Sequence, residues 1–434
     1  MIKSDLRRDV RRLASSLLLA LVIVLGTVQP VTTATDRAEA LKPTVILISL
    51  DGFRFDYLSR FKPPTLTAMA RSGVRARWLI PSFPALTFPN HYTIATGLYP
   101  QAHGIVGNEI YDPILDARFS SHDSKAVQDG RWWGGQPIWV TAEKEGQHAA
   151  CFFFPGCEAE ISHTRAADWF PYDEKVPNEK RVATVLSWLD RPPATRPTFV
   201  ALYFGDVDEA GHDSSPESGA VAEAVARVDR AVGQLVEGLK QRGIYDSVNL
   251  IVVSDHGMTT IRPQNVILLD DSFDSKDAKQ VLWGAQLTQI FPREGQTRTI
   301  YEKLSRDRLK HARCYLKTEL PARFHYQSSE RIAPIVCLAD EGWRIFQRKE
   351  YERAGSAGKV ATRLIGGHGY DNQLRSMRAT FIAHGPAFKT GIVVAPFANV
   401  SIYGIITRIL QLNPAPNDGD PTVARRLLRQ PAAK

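Results

Sequence analysis

Apolar positions in this chain fall into short unbroken runs separated by helical stretches of period near 3.6. Val45-Ile46-Leu47-Ile48-Ser49-Leu50 and Leu250-Ile251-Val252-Val253 are dense in β-branched residues without alternation, as in parallel strands buried on both faces. Similar runs predict strands over 149–154, 198–204 and within 377–384. Helices are expected over 64–72, 90–96, 136–145, 179–189, 220–242 and 400–412, with 81–90 and 104–112 as loops. In 220–242, Val221, Val225, Val228, Val232, Leu235 and Leu239 form one stripe, which reads as a face packed on a sheet. Strand–helix–strand alternation predicts an α/β fold with a doubly wound, mostly parallel sheet. The pattern becomes mixed and more charged over 261–366, read as an inserted or peripheral lobe. The catalytic unit is expected over 41–420, with 421–434 as a tail.

Both strongest strands end at a carboxylate, in Asp51-Gly52 and in Asp255-His256-Gly257. Ligands of open α/β sheets bind outside the carboxyl ends of the strands. The fold thus delivers two aspartates and an imidazole to one rim, a donor set suited to holding metal. A third run, Tyr203-Phe204, leads into Asp206-Val207-Asp208-Glu209-Ala210-Gly211-His212. Asp208 and His212 are four residues apart and can reach one ion, although spacing alone leaves Asp206 and Glu209 as rivals. His368 sits among glycines in Gly366-Gly367-His368-Gly369, where backbone can approach a ligand closely. Three aspartates and three histidines can furnish two sites of three ligands each, and nitrogen and oxygen donors without thiolate favour zinc. Thr87, ahead of the expected helix at Asn90, is the best nucleophile, since helix starts stabilise anions. Its plain alternative is a helix cap.

Composition changes this picture little. The 434 residues carry 54 Lys+Arg against 46 Asp+Glu, a formal charge of +8. Five of the cations lie in the first twelve residues, and no like-charged run suggests a nucleic-acid arm. The remaining surplus would favour polyanionic substrates, though a solvated basic surface is the plainer reading. Residues 1–40 read as a secretory signal, with a basic start, an apolar stretch over 13–26 and cleavage after Ala34 or Ala40. That stretch is shorter than the roughly 20 residues of a membrane span, so an exported mature chain without a stable span is expected. Cys151, Cys157, Cys314 and Cys337 include no Cys-x-x-Cys pair, which argues against a thiolate zinc site. In an exported protein they can pair as 151–157 and 314–337, and the sequence leaves both other connectivities open.

Taken as a set, the motifs resemble the nucleotide pyrophosphatase/phosphodiesterase family of the alkaline phosphatase superfamily. The resemblance rests on Leu50-Asp51-Gly52-Phe53-Arg54, Thr87-Phe88-Pro89-Asn90-His91-Tyr92, Thr96-Gly97-Leu98-Tyr99-Pro100 and His103-Gly104-Ile105-Val106-Gly107-Asn108. It continues through 208–212, Ser254-Asp255-His256-Gly257-Met258, His368-Gly369-Tyr370-Asp371-Asn372 and 410–417, in the family's order. It implies an alkaline-phosphatase-like sheet with helices on both faces and two zinc ions per chain. One zinc would fall on Asp51, Asp255 and His256 with Thr87 beside it, the other on Asp208, His212 and His368. Asn108 would donate to a phosphate oxygen, and Phe88 and Tyr203 would sandwich a nucleobase. Val207 stands where the family usually has proline, Ser215-Pro216 replaces a more usual Gly-Pro, and 353–362 is hard to match.

The implied reaction is hydrolysis of nucleotide phosphodiester or pyrophosphate bonds through a phosphothreonine, releasing a nucleoside 5′-monophosphate. A nucleotide-like substrate, no sequence-specific nucleic-acid binding and a periplasmic location complete the expectation. The rivals are a choline-type phosphodiesterase, a phosphomonoesterase or phosphonate hydrolase, and an exported binding protein that keeps the fold. No cysteine heads a Cys-x-Pro-x-Arg sequence, which disfavours a sulfatase.

Overall fold

The computed structural model describes residues 41–305, 309–356, 358 and 362–430. The leader expected over 1–40 lies outside them. Eight strands form the central sheet: β1 Val45–Leu50, β2 Val74–Ala76, β3 Ala149–Phe152, β4 Asp168–Trp169, β5 Phe199–Phe204, β6 Asn249–Val253, β7 Phe381–His384 and β8 Ile392–Val394. Their order across the sheet is β8-β2-β7-β6-β1-β5-β3-β4. Only β7 runs against its neighbours; the other pairings are parallel.

Each face of β1 is buried in a different core. Val45 and Leu47 join one apolar cluster, while Ile46, Ile48 and Leu50 join the other. On the second face pack α1 (Pro64–Ser72), α4 (Asn178–Leu189) and α6 (Gly219–Gln241), the last through the stripe from Val221 to Leu239. On the first face pack α2 (Thr87–Thr96), α3 (Ile138–Lys144) and α7 (Ser401–Leu410). The fold is therefore mixed α/β with a mostly parallel sheet covered on both sides, as expected. Short α5 (Asp206–Asp213) follows β5 at the rim.

Three local readings change. Helix α2 begins at Thr87 rather than at Asn90. Pro89 misleads the sequence reading because it looks like a breaker. It occupies the third helical position, where an amide N–H has no partner within the helix to lose. Residues 109–112 are a strand, paired antiparallel with Ala117–Ser120, rather than loop. The stretch from Pro421, read as tail, opens with helix α8 (Pro421–Leu427), capped by the Asp420 side chain and burying Val423, Ala424 and Leu427.

Within 261–366, Ala278–Leu282, Leu287–Pro292, Ile335–Ala339 and Ala312–Leu316 make a four-stranded antiparallel sheet. Its core gathers Ile290, Ile335, Ile345 and Phe273, together with Ala85, Tyr370 and Met377 from outside that stretch. Disulfides join Cys151 to Cys157 and Cys314 to Cys337, the second pair directly opposite in register. Among the described residues no helix is long and apolar enough to cross a membrane.

Candidate active site

Register brings the strand-end carboxylates together. Ser49 pairs with Val253 across β1 and β6, so Asp51 and Asp255, each two residues further on, leave the rim side by side. The Gly52 N–H donates to Asp255 Oδ1 at 3.2 Å. Gly52 has φ +65°, and a Cβ there would lie 3.0 Å from Asp208 Cα, Cβ and Oδ1. Glycine thus allows the Asp51 turn and the approach of the third carboxylate. Gly257 is equally constrained, since a Cβ would meet the Ser376 carbonyl at 2.0 Å.

Asp208 and His212 lie one turn apart on α5, with His212 Nε2 3.3 Å from Asp208 Oδ2. His368 is returned to them by the strand Ile365–Gly367, which pairs with Thr259–Ile261. Its Nε2 lies 3.0 Å from His212 Nε2 and 3.6 Å from Asp208 Oδ1, and its ring stacks on His256 at 3.6 Å. His256 Nε2 is 3.0 Å from Asp255 Oδ2, 3.4 Å from Asp51 Oδ1 and 3.4 Å from Thr87 Oγ1.

The outward nitrogens are prepared as ligands. His256 Nδ1 is engaged by the Gly257 carbonyl at 2.9 Å and His368 Nδ1 by the Ala85 carbonyl at 3.0 Å. His212 is hydrogen-bonded to the backbone of Gly366. Backbone acceptors on Nδ1 leave Nε2 with its lone pair, as in metal-binding histidines. Two such lone pairs facing each other at 3.0 Å repel unless a cation or proton lies between them.

Asp51 Oδ1, Asp208 Oδ1 and Asp255 Oδ2 are buried without a hydrogen-bond partner. Among the described residues none of the three carboxylates pairs with Lys or Arg. Buried carboxylates without counter-charge are costly, so the donor set fits divalent cations. Burial, then the charges of Asp255 and Asp208, raise Asp51 well above the carboxylate range. Burial also pushes Asp255 and Asp208 upward, but neighbouring imidazoles outweigh it and hold both below that range. Burial and the His256 charge lower His368 to about 3.

His91 is the buried group that sequence reasoning did not single out. Ligating atoms lie within 4.8 Å of one another in two sets, Asp208 with His256 and His368, and Asp51 with His91 and Asp255. Both nitrogens of His91 are committed, however: Nε2 to Ser49 Oγ at 2.7 Å and Nδ1 to the Thr87 carbonyl at 2.9 Å. His91 braces the first turn of α2, while His256 Nε2 faces the carboxylates. The sequence signal was present, since His91 lies one helical turn after Thr87.

Thr87 opens α2. Asn108 Oδ1 accepts the Phe88 N–H at 3.0 Å, which turns the Asn108 amide so that its NH₂ is the group left to donate. Both line a cavity of about 520 Å³ with Phe88, Phe153, Glu158 and Tyr172.

Tyr203 also borders this cavity. Its side chain is buried, and its hydroxyl donates to Asp51 Oδ2 at 2.6 Å. Tyr172, which the sequence reading passed over, is 47% exposed on the same cavity. The Glu158 carboxylate accepts its backbone N–H at 3.1 Å.

The family model described as type I phosphodiesterase/nucleotide pyrophosphatase matches residues 45–371. Ectonucleotide pyrophosphatase/phosphodiesterase family member 3 of Mus musculus is 38% identical over 400 residues, covering 90% of this chain and 45% of that protein. Venom phosphodiesterase CdcPDE of Crotalus durissus collilineatus is 38% identical over 399 residues, covering 89% and 46%. The chain thus spans under half the length of these curated relatives. Murine ectonucleotide pyrophosphatase/phosphodiesterase 5 superposes with a TM-score of 0.83 at 34% identity, covering 89% of this chain and all of that one. An inactive threonine-to-alanine variant of the same murine protein, in complex with AMP, gives 0.82. The chain belongs to the type I phosphodiesterase/nucleotide pyrophosphatase family.

Proposed function

We propose that the protein hydrolyses nucleotide phosphodiester and pyrophosphate bonds, releasing nucleoside 5′-monophosphates. The observation that carries this reading is Thr87 Oγ1, at the start of α2 and 3.4 Å from His256 Nε2, facing a cavity with exposed aromatic surface. The AMP complex of the murine relative and the loss of activity named for its threonine variant support it.

Asp51, Asp255 and His256 would hold one zinc, and Asp208, His212 and His368 the other. When bound, two such ions supply Lewis-acid stabilisation of the phosphoryl charge and of the entering and leaving oxygens. The protein's own groups do the rest. Phe88 and Tyr172 hold the base by stacking, and the Asn108 NH₂ donates to a non-bridging oxygen, a contribution of about 3 kcal/mol in comparable sites. Thr87 Oγ attacks phosphorus as the bond to the leaving oxygen breaks, giving phosphothreonine. Water then attacks phosphorus, and the P–O bond to Thr87 breaks to regenerate the hydroxyl. A periplasmic location belongs to the same reading and rests on the leader-like residues 1–40.

Turnover of a p-nitrophenyl nucleotide diester, p-nitrophenyl phosphate and p-nitrophenyl phosphorylcholine tests this directly. The nucleotide diester should have the highest kcat/KM. Preference for either other ester would replace the reading with a monoesterase or a choline-type diesterase. No turnover with metal bound would leave a binding protein.

A further inference from the structure

The two disulfides close loops of very different length. Cys314 and Cys337 are 23 residues apart in sequence, whereas Cys151 and Cys157 are separated by 6. A bridge stabilises a fold mainly through the length of chain it closes, so the short one contributes less to overall stability. Its place in the fold points to a local role. Cys151 lies in β3, and Cys157 ends the turn that follows that strand. Both residues are buried, in the apolar cluster that holds Tyr92, Trp133, Trp139 and Phe154.

The bridged turn forms part of the cavity wall. Phe153, Pro155 and Glu158 line the cavity together with Phe88 and Tyr172. The backbone of the turn is strained: Phe153 has φ +64°, a left-handed conformation that is costly for so bulky a side chain. A covalent tie across the turn opposes its relaxation. Glu158, next to Cys157, carries the constraint outward. Its Oε1 accepts the Tyr172 N–H at 3.1 Å, and its Oε2 accepts a Gln128 Nε2 hydrogen at 3.2 Å. Tyr172 itself lies in a stretch without regular structure, and its ring meets that of Phe153 edge to face at 5.3 Å. The bridged turn and the residue beside it therefore hold Tyr172 at both backbone and ring.

We infer that the Cys151–Cys157 disulfide is a positioning element for nucleoside binding, acting through Glu158 and Phe153 on Tyr172. The inference rests on the nucleotide-diesterase reading above and concerns how this chain orders the base-stacking ring. A ring ordered before the substrate arrives keeps its stacking energy for affinity, whereas a loose one must be immobilised on binding. Asp51 and Asp255 are set by β1 and β6, and Thr87 by α2. Loosening the turn therefore reaches the base and not the reacting phosphorus.

The test compares wild type with Cys151→Ala/Cys157→Ala and, as a control, Cys314→Ala/Cys337→Ala. Two substrates are used, p-nitrophenyl thymidine 5′-monophosphate and the base-free bis(p-nitrophenyl) phosphate. Loss of the short bridge should raise KM for the nucleotide ester about fivefold, part of the stacking contribution. It should leave kcat for that ester, and kcat/KM for the base-free ester, within about twofold. The control should keep both esters within the same limit. In a Tyr172→Ala background, removing the short bridge should change KM no further, because its effect passes through that ring. Gln128→Ala frees one Glu158 oxygen from outside the cavity and should raise the nucleotide KM in the same direction. If the double alanine variant does not fold, an unchanged KM in Gln128→Ala overturns the inference. So does an unchanged nucleotide KM in the folded double variant, an equal loss on both esters, or a full effect of the bridge in the Tyr172→Ala background. Free thiols at Cys151 and Cys157 in denatured, unreduced wild type overturn it too. A wild type that cleaves neither ester, or does not prefer the nucleotide ester, overturns the nucleotide-diesterase reading instead, and this inference with it.

Discussion

The Tyr203 hydroxyl donates to Asp51 Oδ2 at 2.6 Å, within a ring environment completed by His91 at 5.4 Å. Burial and the Asp51 charge raise the phenol well above its ordinary range, so it stays a donor. Partners of this kind orient metal-binding carboxylates, and their loss weakens metal affinity about 10–100-fold. Tyr203→Phe should therefore bind zinc more weakly in a chelator competition while its KM for a nucleotide ester, measured at saturating zinc, stays near wild type. Unchanged zinc affinity with a raised KM would return Tyr203 to base binding.

Tyr172 should behave in the opposite way. Its exposed ring shares the cavity with Phe88, and base–aromatic stacking is worth about 1–3 kcal/mol. Tyr172→Ala should raise KM for p-nitrophenyl thymidine 5′-monophosphate about tenfold, in line with that range, with zinc content intact. A base-free diester such as bis(p-nitrophenyl) phosphate should be cleaved as by wild type. An equal loss on both substrates would contradict a base-stacking role.

His103 makes stability depend on pH. Burial lowers it from 6.5 to about 3, and its Nδ1 accepts the Ile105 N–H at 3.1 Å, a bond that protonation would break. The unfolded chain takes up this proton near pH 6.5 and the folded chain does not until about pH 3. The His103 contribution is thus complete above 6.5 and falls with pH through that window, at up to about 1.4 kcal/mol per unit. Buried His91 and His368 act in the same direction, so the comparison that isolates His103 is a slope. Denaturant unfolding of His103→Gln between pH 7 and 4 should vary less steeply than wild type; parallel curves would refute the assignment.

The Cys314–Cys337 bridge closes a segment that includes Ile335 and Val336 of the four-stranded sheet. Replacing both cysteines with alanine should cost about 2–4 kcal/mol in chemical denaturation of the oxidised protein. A loss near zero would mean that cross-strand packing alone holds this pair.

What the sequence made legible follows the strength of local patterns. Dense β-branched runs located β1 and β6, and identical offsets from their ends brought Asp51 and Asp255 together once the register was known. The α6 stripe and the Asp208–His212 spacing were readable for the same reason: both depend on one element's period. Three features were hidden. The start of α2 was masked by Pro89, a breaker by type but harmless in a first turn. Tyr172 has no periodic neighbours, and its place depends on two-residue β4 pairing with β3. Tyr203 sits at a strand end like a pocket residue, and only the short bond to Asp51 distinguishes its role.

The central claim is that Thr87 is the nucleophile of a two-metal diesterase, and one paired measurement tests it most directly. Zinc content and turnover of p-nitrophenyl thymidine 5′-monophosphate are determined on the same preparations of wild type and Thr87→Ala. Near-wild-type zinc with turnover lost in the variant, against two zinc ions and full turnover in wild type, is the predicted result. Retained turnover in zinc-loaded Thr87→Ala would contradict it.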